Sequence, residues 1–138
     1  MSGVHYTLQH GPDTVEVSAA VTGGQLVEVD GTTGKVKPAG AGAVDVLGVA
    51  ANDANPAGSD TDTNYANARP HVAIYYTPVD IPVTYAGAAT FGQKLVAAAD
   101  GEVTPYTAGT STFDQIVGVC TEPGGVAAGA KGRIRLTV

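Results

Sequence analysis

The side chains that could do chemistry are few, and their spacing argues against each reaction in turn. Asp60, Asp62 and Asn64 alternate as the first ligands of a calcium loop do. The sixth loop position, where glycine makes the sharp turn, is Tyr65, and the twelfth, where a bidentate glutamate closes the shell, is His71. The triplet therefore reads as part of a solvated acidic loop. His5 and His10 stand five apart on a stretch without helical period and His71 is remote, so no three-histidine metal set is expected. Cys120 is the only cysteine, which excludes an intrachain disulfide and the paired-cysteine zinc spacings; its setting, IVGVC, marks a small buried apolar residue. There is no G-x-S-x-G elbow, and the glycine clusters GTTG and PGGVAAG neither open a helix nor carry the Lys-Ser/Thr of a phosphate loop. The expectation is a chain with no catalytic residue, no metal and no cofactor, and so not an enzyme.

Charge narrows the partners. Seven Lys and Arg face 13 Asp and Glu, a formal net charge of -6. Nucleic-acid binding needs concentrated cations that displace counterions, and the basic residues here are scattered, so no nucleic-acid partner is expected. The first residues, MSGVHYTLQHG, lack a basic region followed by an apolar run, and no window approaches the roughly 20 apolar residues that span a bilayer. A soluble chain without a membrane partner is expected.

Elements that could position side chains are short. With 19 Gly, 8 Pro, no Trp, two Phe and 43% hydrophobic residues, mostly Val and Ala, the composition suits many brief strands joined by tight turns. GQLVEVDGTTGKVKP opens at Gly24 and GQKLVAAADGEVTP opens at Gly92. In each, a Leu-Val strand leads to an Asp-Gly turn, then to one inward valine, Val36 or Val103, and then to a stopping proline, Pro38 or Pro105. VDVLGVA (44–50) follows the first copy as a strand buried on both faces, and FDQIVGVC follows the second, with Gly118-Val119 answering Gly48-Val49. VEV at 15–17 precedes one copy and IPVTY at 81–85 the other, while VAIYY at 72–76 and IRLTV at 134–138 follow. Pro78 and Pro82 flank VDI and place that strand at an edge or bulge. The order predicts an internally duplicated β-unit, about 15–51 and 81–121, in which neither unit has a complete hydrophobic face and the two pack together within one β domain, 15–138. Residues 52–70 form a long polar surface loop.

Residues 1–14 are an N-terminal arm or a first strand. Val4, Tyr6 and Leu8 alternate with His5, Thr7 and Gln9, so an extended arm, with Val4, His5, Tyr6 and Leu8 as its docking residues, could add a strand to a sheet edge on a partner. The same alternation suits the first strand of the domain's own sheet.

The ordered words G-Q-x-V, D-G-x-V-x-P and D-x-x-G-V, a polar linker, a second G-Q-x-L-V copy ending in I-x-G-V, and the terminal GRIRLTV resemble the phage capsid cement or head decoration proteins over residues 15–138. That resemblance implies an all-β fold, a small β-barrel or β-tulip with little or no helix. It also implies a structural role on the outer surface of the virion. Its partners would be the major capsid protein and the chain itself, as a homotrimer, and its task would be to stabilise the expanded shell. A carbohydrate-binding or host-attachment β-module is the alternative, for which an exposed aromatic platform would speak. A biotinyl- or lipoyl-like carrier is disfavoured because the equivalent hairpin tip holds Asp100-Gly101, with Lys94 placed before the strand.

Overall fold

The structure, a computed structural model, describes residues 12–56 and 69–138. Ten strands follow in chain order: β1 (Asp13–Glu16), β2 (Leu26–Asp30), β3 (Lys35–Pro38), β4 (Val46–Ala50), β5 (His71–Tyr75), β6 (Asp80–Thr84), β7 (Lys94–Ala97), β8 (Val103–Pro105), β9 (Ile116–Cys120) and β10 (Lys131–Leu136). Two single 3-10 turns, Ala99–Gly101 and Phe113–Gln115, are the only helical segments among the described residues. Gly132, Ile134 and Leu136 face inward and Lys131, Arg133 and Arg135 outward, giving β10 the strict alternation that a strand with one wet face requires.

The strands form two antiparallel five-stranded sheets, ordered β1-β5-β4-β2-β3 and β6-β10-β9-β7-β8. Adding five to each label of the first gives the second. The correspondence extends to irregularities: a bulge interrupts the β2–β4 register between Val27 and Glu28, and another interrupts β7–β9 between Leu95 and Val96. The turns entering β2 and β7 also match. Gln25 Oε1 accepts from the Thr22 N–H at 2.8 Å, and Gln93 Oε1 from the Thr90 N–H at 2.7 Å. The glycines before those glutamines both have left-handed φ, 94° at Gly24 and 84° at Gly92. The shared word is thus T-x-G-Q, a turn stapled by its own glutamine.

The register corrects the sequence alignment by one residue. Leu26 pairs Val49 as Lys94 pairs Val119, and Val27 pairs Gly48 as Leu95 pairs Gly118. Leu26 therefore corresponds to Lys94, and the two Leu-Val words are offset, because T-x-G-Q fixes where each strand starts. Lys94 is the first residue of β7 and does not precede it. Gly48-Val49 and Gly118-Val119 do correspond. β4 begins at Val46, leaving Val44 exposed before it, and Leu47 also faces outward, so this strand is not buried on both faces throughout. β6 is an edge strand, as its prolines require.

The described residues form no closed barrel. Each sheet curls until its outer strands meet at one parallel bridge, Val17 to Val36 and Tyr85 to Val103. β3 and β8, at four and three residues, are too short to zip the seam further. Curling gives the first half its own core of Val17, Val21, Val27, Val36, Ala50, Ala54, Val72 and Ile74, so it does have a hydrophobic interior. Four of its residues, Leu26, Ala39, Val46 and Val49, belong instead to the core of the second half, with Tyr85, Leu95, Val103, Cys120, Ile134 and Leu136. Those four join the halves.

Candidate interaction surface

The junction between halves is tight. The Gly101 N–H donates to the Ala39 carbonyl at 2.9 Å, the Gly42 N–H to the Ala97 carbonyl at 2.9 Å, and Gln25 Nε2 to the Asp100 carbonyl at 2.9 Å. Gly101 is required here: with φ at +70°, a Cβ on it would stand 2.7 Å from the Leu26 carbonyl oxygen. Beside the junction lies a cleft of about 330 Å³ lined by Gln25, Thr84, Asp100, Glu102 and Lys131 among others. Its walls include turns whose main-chain groups already bond across the junction, so the cleft is the groove between two packed halves.

A second surface lies on the outer side of the second half. Tyr106 follows β8, and its N–H donates to the Lys94 carbonyl at 2.8 Å. The word T-F-D-Q then makes the Phe113–Gln115 turn, in which the Thr112 N–H donates to Gln115 Oε1 at 3.0 Å and the Thr112 hydroxyl donates to Asp114. That turn holds Phe113 out, 75% exposed, stacked on Tyr106 with ring centroids 5.7 Å apart and planes within 10°. Lys94 Nζ stands 5.9 Å from the Phe113 centroid, a cation–π contact worth about 0.5–1 kcal/mol at an exposed site. Phe91, in the turn before β7, is 63% exposed. Both phenylalanines of the chain are thus presented outward. An exposed aromatic stack with a cation beside it offers a face for apolar or π-rich partners.

From sequence alone an aromatic platform would draw on Tyr65, Tyr75, Tyr76, Tyr85 and Tyr106, too dispersed to decide it, and Phe113 is passed over. Tyr106 belongs to the stack, but Tyr85 is core: it is fully buried, its hydroxyl donates to the Arg133 carbonyl at 3.0 Å, and burial drives its pKa well above the ordinary value. A chain without Trp whose two Phe sit in polar surroundings, A-T-F-G-Q and S-T-F-D-Q, carried the signal.

The proposed docking residues Val4, His5, Tyr6 and Leu8 lie outside the described residues, as do Asp60, Asp62, Asn64 and Tyr65. His71 opens β5 at the surface. Among the described residues no group of three or more His, Cys, Asp or Glu is placed to hold a metal. Cys120 is fully buried and free. No described helix is long and apolar enough to cross a membrane.

Comparison with known proteins gives a likeness of fold and no family. No family model matches the chain, and no curated protein matches it. Among solved structures, the chain is similar to the N base of the head fibre protein gp8.5 of bacteriophage phi29, with a TM-score of 0.62 at 14% identity over 91% of this chain and 92% of that one. The fold of this chain is therefore similar to that of a phage head fibre base.

Proposed function

We propose that this chain is a structural protein of a phage head, a decoration or cement protein that binds the outer surface of the capsid and stabilises the expanded shell. The observation that carries the reading is the fold likeness to a head fibre base over nearly the whole of both chains. The ordered sequence words that resemble the cement proteins point the same way. The major capsid protein is the partner, the chain acts as a homotrimer, and it is not an enzyme. We read the matched strand orders as an internal duplication, which doubles the rigid strand and turn surface available for clamping. Val4, His5, Tyr6 and Leu8 dock by adding a strand to a sheet edge on the shell.

Co-sedimentation with expanded, undecorated shells of the same phage tests this, scored for stoichiometry and for the temperature at which shells rupture. Saturable binding and a raised rupture temperature are expected, both lost on deleting residues 2–11. Binding that survives the deletion removes the arm from the account, and absence of binding removes the function.

The Tyr106–Phe113 stack lends some support to a carbohydrate-binding or host-attachment module. Retention on a glycan array without shell binding would favour that reading.

A further inference from the structure

The two halves correspond strand for strand, so each surface on one has a counterpart on the other, and their exposure should match unless something covers one of them. The register defines the counterparts. Leu26, Ala39, Val46 and Val49 of the first half correspond to Lys94, Tyr106, Ile116 and Val119 of the second. Ala39 and Tyr106 match because their N–H groups donate to the Leu26 and Lys94 carbonyls at 2.9 and 2.8 Å. The first set is buried in the second half's core. The second set has nothing comparable over it: Lys94 is exposed, Tyr106, Ile116 and Val119 are half-buried, Phe113 projects beside Tyr106 and Lys94, and Phe91 is exposed in the turn before β7.

The receiving side shows the reverse. Ala97 and Val117, which are 2% and 1% exposed in the core that the first half completes, correspond to Val29 and Leu47, each 38% exposed. The contact between halves is therefore head-to-tail. A two-fold contact would have covered both pairs of surfaces equally. A head-to-tail contact leaves one donor face and one acceptor face unused, and those are the faces left open here.

We infer that a second copy of this chain fills them: the aromatic face of the second half (Phe91, Lys94, Tyr106, Phe113) packs on the Val29–Leu47 rim of the first half of the next copy, repeating between chains the contact made within one. The residues suit the task. The rim is apolar, with Val44 52% exposed nearby, and carries Asp30 and Asp45, while the donor face brings the cation of Lys94. Where the internal donor face uses Leu26 and Ala39 against a covalently tethered neighbour, the free one uses Tyr and Phe, the side chains that dominate contacts between separate chains. Repetition of one such contact builds a ring when its rotation closes. The inference rests on exposure at corresponding positions and holds with or without shell binding.

Sedimentation velocity and native mass spectrometry of the full chain test it, with Phe113→Asp and Leu47→Asp as variants whose fold is checked by circular dichroism. The wild type is expected to be a discrete oligomer and each variant a monomer. Mixing is the discriminating step. Phe113→Asp keeps an intact rim and Leu47→Asp an intact aromatic face, so the mixture should yield a one-to-one pair that neither forms alone. A monomeric wild type, an oligomer that both variants leave intact, or a mixture that stays monomeric would overturn the inference. Shell binding, measured separately, decides the capsid role; a monomeric wild type would remove only the homotrimer from the proposed function.

Discussion

Arg133 and Arg135 leave β10 on its wet face, two residues apart, and each meets a carboxylate from another element. Arg135 bonds Asp80 of the edge strand β6 through two contacts, 2.9 and 3.1 Å, and this holds the Asp80 carboxyl below its ordinary value. Glu122 Oε1 accepts from the Arg133 main-chain N–H at 3.1 Å and from its Nε at 3.2 Å, the main-chain bond being the larger cause of its lowered pKa. A carboxyl whose pKa is depressed on folding stabilises the fold above the unfolded pKa, and that contribution is lost as pH falls through the folded value. Both acids are at the surface, so solvent keeps each contribution small. The Tm of the wild type is expected to fall on acidification below about pH 5. Asp80→Asn combined with Glu122→Gln should start lower at neutral pH and fall less steeply; parallel curves for the two proteins would show that the pairs do not matter. Single residues in apolar words were legible from sequence, as Cys120, Val36 and Val103 show by their burial. Phe113 was legible only as an aromatic in polar surroundings, because a single residue in a linker has no periodicity to announce what it stacks on.

At the scale of elements, the halves solve one packing problem with different residues. Val72 and Ala54 of the first core correspond to Gly132 and Val126 of the second, since Val15 pairs Val72 as Val83 pairs Gly132, and Val21 bridges Ala54 as Ala89 bridges Val126. Large beside small has become small beside large. A Cβ on Gly132 would lie 2.3 Å from a Val126 methyl carbon, so the glycine exists to admit that valine. Gly132→Val should cost at least the roughly 1–3 kcal/mol that is usual for overpacking. Gly132→Val with Val126→Ala, which writes the first half's pair into the second, should recover most of it. A double-mutant cycle by chemical denaturation reads the coupling, and additive losses would sink the compensation. The strands were legible because short β-branched runs bounded by Gly and Asp-Gly have few other uses. Strand register was not: G-Q-L-V and G-Q-K-L-V align by word at Leu-Val but in space at Gly-Gln, and only the Thr-to-Gln turn shows which alignment the backbone takes.

For the whole molecule, the question is whether two halves with separable cores unfold separately. Leu26, Val46 and Val49 lie in the second half's core, and exposing each would cost about 1.5–3 kcal/mol. The sequence showed two runs of similar words and led us to expect halves without cores of their own, but it could not show that the packing is one-sided, because that asymmetry depends on which linker lies against the other half. Linkers differ without disturbing strand words: 39–45 packs Ala39 and Ala43 inward, whereas 106–115 carries Phe113 outward. One-sided packing makes the first half depend on the second for part of its burial. The slowest-exchanging amides of β4 and β9 should therefore open with one shared free energy in native-state hydrogen exchange. Gly101→Val aims at the joint, placing a branched side chain at a left-handed φ against the Leu26 carbonyl and Gln25, where even a Cβ has no room. That variant should separate the two classes, with β4 opening at a lower free energy and β9 changing less. Equal shifts in both would mean that the halves remain one cooperative body even with the joint pried apart. Distinct openings already in the wild type would mean that the joint couples nothing.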